Sequence, residues 1–241
     1  MQRKIAISAV ALGLAWAIPG VADVVTVSDP STAGSTISSA LNLTSDPNLS
    51  EITGNLDSTN PDFAALFQID ILNPLYFSAY TVFTGVSASG TSGIQNPELF
   101  LFDQNGNAVE MNDDISTTPA NTQSCLPSTI ASGNPCPATK PSGIGPLTAG
   151  FYILGISPSA NTPLDASLNP LFLFNGDTSA VLGPNPAVGP LASWDQGYSN
   201  PDFDQANYDI HLSDAPEPLA WPVTAVLGLG MIVFRRRLMA R

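Results

Sequence analysis

The side chains between Asp23 and Asp214 that could do chemistry are overwhelmingly carboxylates. Nineteen acidic residues stand against one lysine, Lys140, with a single histidine and two cysteines. Carboxylate and amide oxygens bind hard cations, calcium above all. They are densest in two stretches. One is Asn55, Asp57, Asn60 and Asp62; the other is Asp103 to Asn107, followed by Asn112, Asp113 and Asp114. Asp103, Asn105, Asn107 and Asp114 fall at positions 1, 3, 5 and 12 of an EF-hand loop. Such a loop needs glycine at position 6, where this chain has Ala108, and its position 12 is normally the longer glutamate. Asn105-Gly106 reads better as a hairpin turn. That puts Asp103 near the tip and Asp113 and Asp114 roughly 20 Å down the second strand, too far for one ion to bridge. The calcium site that remains is Asn112, Asp113 and Asp114, completed by Asp57 and Asp62, with Asn55 and Asn60 as further candidates. The competing reading is a set of solvated turns and strand ends.

Other chemistries find less support. His211 has Asp209 and Ser213 on its own strand face, but side chains in a row do not form a Ser-His-Asp relay. Carboxylate pairs for glycoside hydrolysis are a matter of three-dimensional spacing that sequence does not display. No phosphate-binding loop, zinc spacing or nucleotide fingerprint is present. Trp194 and Tyr198 could stack on a sugar; buried anchoring is the stronger expectation. The sequence therefore reads as a non-enzymatic protein.

The elements that must position these residues are short. Apolar clusters alternate with Gly, Pro, Ser and Asn, and the body shows no long helical periodicity. Phe67, Ile69 and Ile71 alternate with Gln68 and Asp70, a half-buried strand. Leu75 to Thr84 is a second strand. Glu98 to Phe102 is apolar on both faces and expected to be central. Ala108 to Met111 returns from the hairpin, and Phe151 to Ser157 follows Gly150. Leu171 to Phe174 with Asn175-Gly176 echoes the earlier Leu-Phe-Leu-Phe turn pattern. In the final strand, Tyr208 to Ser213, the residues Tyr208, Ile210 and Leu212 point inward. The fold class expected is all-β, an antiparallel β-sandwich of jelly-roll-like form. Cys125 and Cys136 are expected to form a disulfide worth roughly 2–3 kcal/mol, since a lone pair in an exported chain usually bonds.

Both ends carry targeting signals. Arg3 and Lys4 precede the apolar stretch Ile5 to Ile18, and Pro19-Gly20-Val21-Ala22 follows, a signal peptide over residues 1–22. At the other end, Pro216-Glu217-Pro218 precedes an uncharged run from Leu219 to Phe234 and then Arg235, Arg236 and Arg237. As a helix that run spans about 24 Å, a marginal crossing of a bilayer core about 30 Å thick, with the arginines as the cytoplasmic stop. The chain divides into the signal segment, a Ser/Thr/Asn-rich lead-in over 23–54, the sandwich over 55–214 and the tail over 215–241. The net charge of -13 is the sum of a body at -18 and two basic ends at +2 and +3. A body so acidic repels nucleic acid phosphates and anionic lipid surfaces and attracts cations.

Pro216-Glu217-Pro218, the apolar run and Arg235 to Arg237 together resemble the PEP-CTERM sorting signal of Gram-negative bacteria. The resemblance implies export through the Sec translocon and a transient anchor in the inner membrane. Cleavage by an exosortase would follow, with delivery to the cell surface or the extracellular matrix. The body has a resemblance of its own. Asp62-Phe63 leads to Phe67-Gln68-Ile69. Leu99-Phe100-Leu101-Phe102-Asp103, Asn105-Gly106-Asn107 and Asn112-Asp113-Asp114 follow, then Gly150-Phe151-Tyr152-Ile153 and Tyr208-Asp209-Ile210. In that order these resemble bacterial pre-peptidase C-terminal domains, β-sandwich modules of secreted and surface proteins, some of which bind calcium. The function implied is a structural or adhesive role linked to exopolysaccharide or biofilm. The rival is a calcium-dependent carbohydrate-binding module.

Overall fold

Phe67, Ile69 and Ile71 are buried while Gln68 and Asp70 are half-buried, and this alternation makes the strand that organises one of two sheets. The computed structural model describes residues 23–26, 33–46, 49–57, 62–83, 92–117, 120–129, 136, 140–197 and 205–213. The signal segment, the sorting tail, Asn60 and Tyr198 lie outside the described residues. The first strands are β1 (Asp23–Thr26), β2 (Leu41–Asn42), β3 (Leu49–Asp57), β4 (Ala65–Ile71), β5 (Ser78–Thr81) and β6 (Ser92–Gly93). Next come β7 (Pro97–Asp103), β8 (Ala108–Asn112), β9 (Ser116–Thr117), β10 (Ala120–Asn121) and β11 (Cys125–Leu126). The last are β12 (Gly150–Pro158), β13 (Pro163–Leu164), β14 (Ser193–Trp194) and β15 (Gln205–Ser213). Helix among the described residues is limited to one 3-10 turn at Ile37–Ser39. Apart from that turn the described residues are all-β, as the composition of the body predicts.

The first sheet runs β1-β3-β15-β5-β11, with β6 also beside β15; the second runs β2-β4-β12-β7-β8. They face each other across one core. Ile52, Leu56, Ala79, Tyr208 and Ile210 come from the first sheet, and Phe67, Ile69, Leu99, Leu101, Leu154 and Ile156 from the second. The sheets are not purely antiparallel as expected. The pairs β1/β3, β2/β4 and β6/β15 are parallel. The reason is the path of the chain. From β1 to β5 successive strands alternate between sheets, so the two edge neighbours β1/β3 and β2/β4 are two strands apart in sequence.

The second sheet is covered on both faces over most of its width, with Asp70 half-buried and Phe151 exposed at one end. Leu66, Phe100, Phe102, Met111 and Ile153 point away from the inter-sheet core and pack against Leu171, Phe172, Leu182 and Trp194. Those partners belong to residues 158–197, which cross the outer face as a third layer. This explains why Leu99 to Phe102 is apolar on both faces: β7 lies between β12 and β8, with a core on either side. The layer is mostly irregular. The echo at Leu171 to Phe174 forms no strand; the preceding Pro170 bridges Leu164, and within the stretch Phe172 makes one isolated bridge. Its bridge partner Pro184 has no N–H to give a ladder. Leu173 and Phe174 stay exposed. The second strand also shortens to Ser78–Thr81, because residues 73–77 turn after Pro74.

The β7–β8 hairpin forms, with turn chemistry other than the pair Asn105-Gly106 alone suggests. A two-residue type I′ turn would need positive φ at both residues. Here Gly106 alone of the two is left-handed, at φ 87°, and its N–H donates to the Asp103 carbonyl at 2.9 Å. Gln104 and Asn105 are the turn centre, and Gly106 is the bulge residue that follows it. The Asp103 carboxylate accepts from the N–H groups of Asn105 and Asn107, at 2.8 and 3.0 Å, so it stiffens the tip.

Cys125 and Cys136 form the expected disulfide, with Cα atoms 5.7 Å apart. It ties the insertion after β11 to the first sheet, four residues before Lys140. The Lys140 ammonium then lies 2.9 Å from both oxygens of Glu110 on β8, and both side chains are buried. Gly145 leaves the room, since a Cβ there would come within 2.5 Å of the Lys140 nitrogen. Breaking a buried pair strands a charge, which costs about 3–5 kcal/mol. Lys140→Met is expected to lose about that much in urea unfolding, and Lys140→Met/Glu110→Leu to recover most of it. Cys136→Ser is expected to cost about 2–3 kcal/mol in the same assay.

Candidate functional site

No three of the acidic residues singled out for calcium converge among the described residues. Asn112 is fully buried; its Oδ1 accepts the Cys125 N–H at 2.8 Å and its Nδ2 donates to the Ala180 carbonyl at 3.3 Å. With both polar atoms engaged, it joins the second sheet to β11 and to the outer layer. Asp62 accepts from the Ser35 hydroxyl and from Gln196 Nε2 at 3.1 Å. It clamps the lead-in to the outer layer. Asp57 ends β3 opposite Gln205. Asp114 accepts the Thr178 hydroxyl, and its N–H donates to the Thr178 carbonyl at 2.9 Å. Trp194 is an anchor: its Nε1 donates to the Ser35 carbonyl at 2.9 Å, and its ring meets Phe100 edge-on at 5.3 Å.

Asp113 is different, because it faces a cavity. Between β7, β8 and the outer layer lies a space of about 320 Å³, lined by Glu98, Asp113, Ser159, Asp177 and Thr178 with a larger apolar share from Phe100, Met111, Phe172, Phe174 and Leu182. By contrast, the depression beside Leu49, Ile69 and Leu212 holds only about 20 Å³, room for little more than one water. Alternation builds the acidic end of the larger cavity. Leu99 pairs with Asn112, so Glu98 and Asp113 flank that pair at the end of the hairpin. Glu98 takes the outer face with Phe100 and Phe102.

Glu98 is 8% exposed. Its Oε1 accepts the N–H of Ala160 at 3.1 Å, presented by a turn that holds Ala160 at φ 69°, a left-handed conformation costly for any residue with a Cβ. Burial pushes the Glu98 carboxyl up to about 8, and the nearby Asp113 charge adds to the shift. Burial, then Asp114, raises Asp113 to about 6. The Ser159 hydroxyl donates to Asp113 Oδ2 at 3.4 Å. At neutral pH the pair thus holds about one proton between a neutral Glu98 and a largely ionised Asp113. Glu98 carries a signal that sequence reading passed over: a carboxylate within a run buried on both faces must be paired or protonated.

A second cluster lies on the open face of the first sheet. Glu51, Asp209 and His211 bring three ligating atoms within 4.8 Å of one another, a grouping of which none of the predicted calcium ligands is part among the described residues. His211 Nε2 lies 3.2 Å from Asp209 Oδ1, and its ring stacks on Tyr80 at 5.1 Å. An imidazole among two carboxylates suits a transition ion better than calcium, which takes oxygen. Among the described residues, no helix is long and apolar enough to cross a membrane. No family model matches the chain, and no curated protein is significantly similar to it.

The Glu98 shift makes stability depend on pH. Its pKa is higher folded than unfolded, so its contribution is fully present below the ordinary value of 4.5 and is lost as pH rises through about 8. Stability is expected to decline over that window. Glu98→Gln, which keeps the shape without the titration, is expected to flatten the decline in urea unfolding measured across the same range. An equal slope in wild type and variant would contradict the assignment.

Proposed function

We propose that this is an exported, non-enzymatic protein of the cell surface or extracellular matrix, released from a membrane anchor by exosortase cleavage near Pro216-Glu217-Pro218. Its role on this reading is structural or adhesive, in contact with exopolysaccharide. The observation that carries the reading is in the sequence: Arg3, Lys4 and the apolar stretch Ile5 to Ile18 at one end, and Pro216-Glu217-Pro218, the uncharged run Leu219 to Phe234 and Arg235 to Arg237 at the other. Removal of both segments leaves every described strand intact. The disulfide agrees with an oxidising destination.

The body is read as a jelly-roll-like β-sandwich of the pre-peptidase C-terminal kind. In support, the motifs that suggested it supply central strands. Phe67 to Ile69 lie on β4, Leu99 to Asp103 on β7, Gly150 to Ile153 on β12 and Tyr208 to Ile210 on β15. After processing, the one basic residue of the body is neutralised inside it by Glu110. The surface is then a polyanion, and calcium enters as a counter-ion to that surface and to the polymers around it.

Intact mass of the mature protein from its native host, with and without the exosortase, tests the proposal. A species running from residue 23 to the Pro216 region is expected in the wild type, and a longer one in the deletion strain. Retention through Arg241 in both strains would sink the sorting claim, and identical trimming in both would assign the cut to another protease.

A further inference from the structure

We propose that the cavity between the β7–β8 hairpin and the outer layer binds an alkyl-ammonium group, a protonated primary amine on an apolar chain. Glu98 and Asp113 would receive the charge, and Phe172 and Phe174 would wall the chain. The inference stands apart from the sorting proposal: a chain that kept its tail would still bind.

The argument begins from charge without compensation. Glu98 from β7, Asp113 just after β8 and Asp177 from the outer layer line this region, with the charges of Asp195 and Asp114 acting on Glu98 and Asp113 from nearby. Lys140, the only basic residue between Asp23 and Asp214, is committed to Glu110. Carboxylates gathered against apolar walls must acquire either protons or a cation. With the cavity filled by water alone they take the proton, which is the physical content of the raised Glu98 and Asp113 values.

The walls decide which cation fits. Calcium wants a shell of oxygen ligands, whereas Phe100, Met111, Phe172 and Leu182 supply carbon. An uncharged sugar would want many hydrogen-bonding partners, which so apolar a lining does not supply. An ammonium offers three donors to carboxylate and hydroxyl oxygens, and its chain gains by leaving water for the apolar wall. Phe174 supports this independently. It lines the cavity yet is 65% exposed, an aromatic face at the mouth where a passing cation is attracted. The volume of about 320 Å³ sits at the small end of ligand sites, suited to one chain and its amine. A free diamine and a lysine side chain share this chemistry.

Binding should displace protons, because the amine replaces them. Affinity should therefore rise as pH climbs through about 6 and about 8, while the amine, with a pKa near 10.4, stays charged. Calorimetry on the full chain in a nonionic detergent tests this with pentylamine against pentanol, and with cadaverine against Nα-acetyl-lysine methylamide. One site is expected, with affinity for the amines rising about a hundredfold or more from about pH 5.5 to about pH 8 and no measurable heat from pentanol. Proton release should be visible as a difference between buffers of unlike ionisation enthalpy. Preference for cadaverine or for the lysine derivative names the source, and either supports the proposal. Glu98→Gln should weaken pentylamine by about tenfold or more and remove most of the pH dependence. Phe174→Ala, at an exposed position that folding does not need, should weaken it by about threefold. Equal binding of pentanol, affinity independent of pH with no proton release, or unchanged affinity in Phe174→Ala would overturn the proposal. So would stoichiometric displacement of pentylamine by calcium.

Discussion

Burial of the second sheet on both faces is the constraint on which the rest of the structure depends. One face meets the first sheet, and the other meets residues 158–197. A strand in that position can hold a polar side chain only where a specific partner reaches it. Glu110 is met by Lys140, Asn112 by Cys125 and Ala180, and Glu98 by Ala160. Each partner comes from a segment outside the sheet. The irregular insertions are therefore the source of the groups that make a doubly buried sheet tolerable.

The same constraint produces the cavity. The outer layer packs closely against Phe100 and Phe102 but is carried away from the sheet where Glu98 and Asp113 end the hairpin. Both carboxylates are left with fewer donors than oxygens and with a partly dry environment. Elsewhere among the described residues, and apart from the buried Glu110, several acidic residues serve as local clamps. Asp165 is one such clamp: its oxygens gather the N–H groups of Asn169, Ser167 and Gly189, donors that hold its carboxyl below the usual range. Asp62 and Asp103 act in the same way, and in all three the carboxylate is satisfied by backbone or neutral donors because no lysine or arginine remains to pair with it.

Much of the first sheet and of the inter-sheet core was legible along the chain. The alternation at Phe67 to Ile71 and at Tyr208 to Leu212 predicts which side chains are buried, because a strand has a period of two and its less covered face reveals it. The double apolar run at Leu99 to Phe102 announced a second core without saying what forms it. Leu171 and Phe172 do so, from a segment whose Leu-Phe-Leu-Phe pattern reads as a strand; as a layer lying on a sheet it has no ladder partner of its own. Asn112 misled because an Asn-Asp-Asp sequence has the composition of a calcium loop. Only the pairing of Leu99 with Asn112 reveals that its amide points inward.

By itself the sequence determined the all-β character, the hairpin at Gly106, the partition of charge and the cysteine pair. These follow from local periodicity, from conformational limits on single residues, or from counting. Tertiary structure alone decided which carboxylates are solvated, which are clamps and which are raised by burial. Those outcomes depend on desolvation and on donors tens of residues away: Ala160 reaching Glu98, Lys140 reaching Glu110 and Thr178 reaching Asp114. An acidic residue looks the same in a sequence whether water, a backbone N–H or another carboxylate faces it, and its chemistry is set by which of these it meets.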